Sequence, residues 1–208
     1  MRKIADEAKK RGIEVLVDGA HSFAHFQFNI PDLNADYFAT SLHKWLYAPI
    51  GSGMLYVKKE KIRNLYPLFA ADDVADDKIT KFEHLGTRPF FIEQAIGKAI
   101  EFHEMIGIER KQKRLHYLKN YWMNKVKEIP NVRIHTPLDA KWSGAIGLVS
   151  VEGKKSADLD SFLFNNYKIH TTTIDWQNLK GIRITPNVYT TIKNLDVLVE
   201  GITKFAKA

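Results

Sequence analysis

The sequence predicts an α/β protein: part of a layered domain on a mainly parallel sheet, followed by a small α+β domain. Three observations carry this. Short apolar runs at 13–17, 35–40 and 53–57 alternate with helical or turn-rich stretches, as in strands buried under helices. A long helical periodicity fills the middle of the chain and is broken only at Gly107. Beyond it, short strands and helices alternate tightly, as in a compact α+β unit. The break predicts two domains, residues 1–107 and 108–208.

Residues 2–11 place Ile4, Ala5 and Ala8 at helical spacing, and Gly12 stands where a helix stop is expected. The run Ile13-Glu14-Val15-Leu16-Val17 then reads as a buried parallel strand ending at Asp18-Gly19. Strands follow at 35–40 and 53–57, and a helix at 59–65. Residues 70–85 are mixed and loop-like, ending at Gly86-Thr87-Arg88-Pro89. Helical periodicity runs from Ile92 through Ile106, breaks at Gly107, and resumes to Val126 before Pro130. In the second half, strands are expected at 132–135, 145–151, 168–172 and 181–184. Helices are expected at 156–166, with Ser156 as N-cap, and at 191–207.

Composition narrows the function. No apolar run approaches the ~18–20 residues that span a bilayer, and the start MRKIADEAKKRG has no secretory apolar stretch. The 208 residues hold no cysteine, which removes disulfides, thiolate metal sites and a cysteine nucleophile from this chain. A cytoplasmic location is expected. The net charge is +7, but its densest run, residues 109–114, reads as a solvated helix face. Neither nucleic acid nor a membrane is therefore expected as partner, whereas anionic small molecules suit a positive field.

Two clusters can carry chemistry. Asp18 ends a strand and His21 follows it, at the carboxyl end of a sheet where ligands bind in α/β proteins; an aspartate there also serves as a turn cap. Ser41, His43 and Lys44 follow the next strand and share that edge. Ser41 and His43 can donate to a phosphate, and a desolvated Lys44 can condense with an aldehyde. The spacing D-x-x-H-x-x-x-H through Asp18, His21 and His25, with His43, offers a second chemistry, a metal-dependent hydrolase. That reading leaves Lys44 and Arg183 without a task, and no metal is expected.

The segments Val15-Leu16-Val17-Asp18-Gly19-Ala20-His21-Ser22, Ser41-Leu42-His43-Lys44-Trp45 and Gly86-Thr87-Arg88 occur in that order. Together they resemble the class V aminotransferase family of fold-type I pyridoxal 5'-phosphate (PLP) enzymes, which includes isopenicillin N epimerase-like enzymes, kynureninases and cysteine desulfurases. The resemblance implies PLP as cofactor, an amino acid as substrate and a homodimer. It implies that Asp18 pairs with the pyridine nitrogen and that His21 lies by the ring hydroxyl. Ser41 and His43 would hold the phosphate. Lys44 would form the Schiff base and then carry the proton. Thr87 would reach the phosphate bound by the partner subunit, or else cap the helix that follows. Residues 181–191 resemble the family segment whose arginine binds substrate, so Arg183 would fork onto the carboxylate.

Two features depart from the family. In cysteine desulfurases a reactive cysteine sits on a loop expected near residues 170–176, and none stands there. The sequence thus predicts that the chain is not a cysteine desulfurase and that the epimerase-like branch fits best. The chain also opens on a helix leading straight into the Asp18 strand. The expectation is therefore the C-terminal portion of a longer enzyme, whose N-terminal half supplies the rest of the cofactor pocket. A non-catalytic binding or assembly domain stays open beside it.

Overall fold

The structure is a computed structural model that describes residues 1–69, 75–84 and 86–208. Its contacts divide the chain into two compact units, Met1–Ile108 and Glu109–Ala208. Among the described residues, no helix is long and apolar enough to cross a membrane.

The first unit opens with α1 (Arg2–Lys10), which buries only Ala5 and ends beside Gly12 at φ +69°. Strands β1 (Leu16–Asp18), β2 (Tyr37–Ser41) and β3 (Gly53–Val57) form one sheet in the order β1-β2-β3. β1 and β2 run parallel, with Asp18 opposite Ala39. β3 returns antiparallel, with Ser41 opposite Gly53. The expected strand at 13–17 is shorter and shifted. Ile13 and Leu16 are exposed and only Val17 is buried, because among the described residues β1 pairs with β2 alone. The expected helix at 59–65 is a 3-10 helix, Lys59–Asn64. Of the segment 70–85, residues 70–74 and 85 lie outside the described residues, and Ile79–Phe82 forms a short 3-10 turn.

Helices α2 (Phe90–Ile106) and α3 (Ile108–Val126) meet at Gly107, whose φ of +79° and ψ of 132° leave helical space. A residue with a Cβ rarely adopts that conformation, so glycine sets the break. Among its described residues the first unit has two small clusters of buried apolar side chains, one around Leu42, Leu46, Ala48 and Ala99, the other around Val17, Ala35 and Phe38, while Ala5, Trp45, Val57 and Ile62 are buried outside them.

The second unit holds strands β4 (Val132–Ile134), β5 (Gly147–Val151), β6 (Thr172–Trp176) and β7 (Leu179–Ile184) in the order β4-β5-β7-β6, every pair antiparallel. Helices α4 (Ser156–Tyr167) and α5 (Ile192–Lys207) complete it, and one core runs through α3, the sheet and both helices. Ser156 is not the expected cap. Lys155 holds that position without a side-chain bond. Thr191 does cap α5, exchanging bonds with Asn194 in a capping box. The strand expected at 168–172 begins at Thr172, because Lys168 at φ +57° closes α4 in left-handed space. Residues 172–176, expected within a loop, are the edge strand β6.

Candidate functional site

A parallel pair puts both of its carboxyl ends on one edge of the sheet. β1 therefore delivers Asp18, and β2 delivers Ser41 and the turn that follows, to the same side. There Leu16, Asp18, Ala20, Ala39, Thr40, Ser41, Lys44 and Met54 line a cleft of about 530 Å³.

The turn after Asp18 is built tightly against the sheet. A Cβ on Gly19 would stand 1.9 Å from Phe38 Cζ, so only glycine lets the chain turn over that ring. Gly19 N–H donates to the Ala39 carbonyl at 2.7 Å, continuing the β1–β2 ladder by one bond. Its own carbonyl accepts from the Ser22 and Phe23 amides at 2.9 and 3.0 Å, and from the Thr40 hydroxyl at 3.2 Å. Asp18 Oδ1 accepts the Ala20 N–H at 2.9 Å. The aspartate thus caps the turn with one oxygen and still lines the cleft.

The β2–β3 connection is bent back on itself. Leu42 N–H donates to the Ser52 carbonyl at 3.1 Å, Ala48 N–H donates to the Leu42 carbonyl at 3.2 Å, and Gly51 turns at φ +93°. Leu42, Trp45 and Leu46 are buried, which anchors the segment and leaves Lys44 half-buried at the cleft. Lys44 Nζ lies 3.5 Å from His21 Nε2, and Trp45 Nε1 donates to His21 Nδ1 at 3.4 Å. His25, buried, stacks on the Trp45 indole at 3.8 Å between centroids.

The residues singled out from the sequence fall into three groups. Asp18, Ser41 and Lys44 meet in the cleft, and His21 joins them through Lys44. His43 is exposed and Thr87 is exposed, and neither lines the cleft. Thr87 does not cap α2 either, since Pro89 occupies the N-cap. Arg183 belongs to the second unit, on β7, opposite Leu148 and Thr172. Its Nη2 donates to Thr172 Oγ1 at 3.4 Å, and its Nε is buried with no hydrogen-bond partner among the described residues. Such an orphaned donor is uncommon and invites an acceptor.

The zinc spacing is not used as ligands. Among the described residues, no group of three or more His, Cys, Asp or Glu side chains could hold a metal ion. His25 is turned onto Trp45 instead. Thr40 and Met54 also line the cleft and were not singled out beforehand. Only the strand register, with Thr40 opposite Met54, places them there.

The donors fit a pyridine ring bearing an aldehyde and a phosphate. The cleft presents a carboxylate for a ring N–H, an amine for the aldehyde, and the Ser41 hydroxyl for a phosphate oxygen.

Comparison with known proteins agrees. The family model "Aminotransferase class-V" matches residues 1–193. Isopenicillin N epimerase of Streptomyces clavuligerus is 26% identical over 219 residues, covering 96% of this chain and 54% of that protein. A probable cysteine desulfurase of Halalkalibacterium halodurans is 31% identical over 147 residues, covering 66% and 36%. The cysteine desulfurase of Cronobacter sakazakii is 27% identical over 218 residues, covering 95% and 52%. Among solved structures, an apo cysteine desulfurase of Thermococcus onnurineus NA1 superposes with a TM-score of 0.80 at 24% identity, over 99% of this chain and 56% of that one. This likeness shows a fold-type I architecture. The chain spans about half the length of the curated relatives it matches.

These findings overturn one expectation. The exclusion of cysteine desulfurases rested on a single missing side chain. Relatives named cysteine desulfurases match the chain across almost its whole length.

Proposed function

Because this chain belongs to the class V aminotransferase family, whose members work with PLP, we propose that it forms part of a PLP-dependent enzyme acting on an amino acid. The observation that carries the proposal is that Asp18, Ser41 and Lys44 line one cleft at the carboxyl edge of the parallel strand pair. PLP, when bound, supplies an electron sink for the bond broken at the substrate α-carbon. Asp18, with Oδ1 satisfied by the Ala20 N–H, offers Oδ2 to a ring nitrogen and keeps its proton in place. Ser41 donates its hydroxyl to the phosphate, with His43 beside it. Lys44 provides the amine that binds the aldehyde and afterwards carries the proton at the α-carbon. The carbon to which it returns that proton separates epimerisation from transamination.

Arg183 is the proposed substrate anchor. Its unpartnered Nε and its planar terminal nitrogens suit the two parallel bonds of a carboxylate. The reading extends to a cytoplasmic homodimer, in which the exposed Thr87 reaches the phosphate held by the partner subunit.

Asp18→Asn tests the cofactor role. The amide keeps an oxygen for the Ala20 N–H, so folding and PLP uptake should persist. Turnover of amino acids should fall by about a hundredfold or more, about 2.7 kcal/mol. Turnover near that of the unsubstituted protein would reduce Asp18 to a turn cap.

A further inference from the structure

The sheet of the second unit has one face in the core and one face outside it. Val149, Ile182 and Ile184 point into the core, and side chains alternate along a strand. Leu148, Thr172, Arg183 and their neighbours two residues along each strand therefore lie on the outer face. There Leu148 and Thr172 flank Arg183 across the strands, Ile174 stands opposite Gly181, and Trp176 stands opposite Leu179.

From Arg183 towards the β6–β7 hairpin this face is apolar. Gly181 contributes no side chain, and Leu148 Cδ1 lies 3.1 Å from the place a Cβ there would take, so the leucine leans into the gap beside Arg183. Ile174 borders the same gap from β6, half-buried, and Trp176 and Leu179 continue it at 64% and 38% exposure. Asp175 and Lys180, paired at 3.5 Å, alternate onto the opposite face. The other ionisable groups of the outer face stand towards β4, where Arg133 bonds Glu152 and His135 Nε2 lies 2.8 Å from the Ser150 hydroxyl. β4 is two strands from β7 in the sheet, about 10 Å between strand axes. That is farther than the two carboxylates of aspartate or glutamate stand apart.

We propose that the apolar surface of Leu148 and Ile174 receives the substrate side chain, so that the substrate is an amino acid with an uncharged, apolar side chain. The inference rests on reading Arg183 as the carboxylate anchor. With the carboxylate on the guanidinium, an apolar side chain over Leu148 and Ile174 removes apolar area from water on both partners. A charged side chain in that place loses hydration and gains no partner of opposite sign. Leu148 and Ile174 are thus specificity-determining residues. An outer face with no such role would leave the affinity of Arg183 for amino acids independent of their side chains.

The test is NMR of the full chain labelled with ¹⁵N at arginine and ¹³C at the isoleucine methyl groups. It is titrated with L-leucine, L-methionine, L-glutamate, L-lysine and acetate. Arg183→Lys identifies the Arg183 Nε–H signal, and Ile174→Lys identifies the Ile174 methyl signal. Leucine and methionine should move both signals, with a Kd about tenfold or more below that of glutamate or lysine. Acetate should move the Arg183 signal alone. Ile174→Lys, on an edge strand, sets a cation beside the anchor and should turn the preference towards glutamate. Equal Kd values for leucine, glutamate and lysine would overturn the inference and leave the anchor standing. So would an Ile174→Lys chain that keeps the preference for leucine. If that variant does not fold, the order of affinities in the wild type decides. If no carboxylate, acetate included, moves the Arg183 signal, the anchor reading fails and this inference falls with it.

Discussion

The two units of this chain are held together differently. The second has one core of fourteen buried apolar residues, from Leu118 on α3 to Ile202 on α5. The first has, among its described residues, two small apolar clusters and leaves Tyr66, Leu68, Phe90 and Phe91 more than half exposed. Its order at the candidate site comes from local devices: a glycine over Phe38, a capped turn and a ring stack. The unit with the smaller core carries the cleft, while the unit with the larger core carries a lone arginine. Stability and candidate chemistry are thus concentrated in different halves of the sequence.

The largest expected effect follows from the larger core. Trp122 is fully buried in it, so Trp122→Ala should cost the second unit about 3–5 kcal/mol by denaturant titration. Val17→Ala, in the first unit's small cluster, removes two buried carbons at about 0.8 kcal/mol each. Equal losses would erase the contrast between the units.

A smaller effect concerns Arg183. Arg183→Lys keeps the charge but loses the fork, so the KM for amino acids should rise about ten- to a hundredfold, the worth of a charged hydrogen-bond pair of roughly 1.5–3 kcal/mol. PLP absorbance should be unchanged, and amines without a carboxylate should be unaffected. Loss of PLP in that variant would make Arg183 a structural residue of the second unit.

A further effect is a pH dependence placed by α3. Lys111 and Lys119 are fully buried, and burial pushes each down to about 8 from 10.5. Lys119 Nζ is met by the Pro137 carbonyl at 2.8 Å and by the Ser143 hydroxyl. Between those pH values the unfolded chain holds protons that the folded chain has released, so stability rises with pH. Relative to a Lys111→Met/Lys119→Met protein, the wild type should therefore gain stability from pH 8 to 10.5, read as a relative rise in Tm. A flat difference would show that both amines stay charged in the fold.

Much of this was legible in the sequence. The limits of β3 and the break at Gly107 follow from an apolar run and a single glycine, both local signals. The first strand was misplaced because Ile13 and Leu16 are apolar yet exposed, and hydrophobicity alone does not reveal a sheet edge. The β6 start was missed because a lysine, not a glycine, takes the left-handed turn at 168. At the site, Asp18 and Lys44 stand out as polar residues after strands. The contact of His21, His25 and Trp45 depends on how two turns fold back, which no spacing in the sequence encodes. The desulfurase exclusion failed because one absent residue was weighed above similarity spread over the whole chain.

The central claim is that Lys44 is the residue that binds the cofactor. The chain would be incubated with PLP, treated with borohydride, digested, and mapped by mass spectrometry. The account predicts one pyridoxyl-modified peptide carrying the added mass on Lys44, and its loss in Lys44→Ala. Label recovered on another lysine, with Lys44 unmodified, would contradict it.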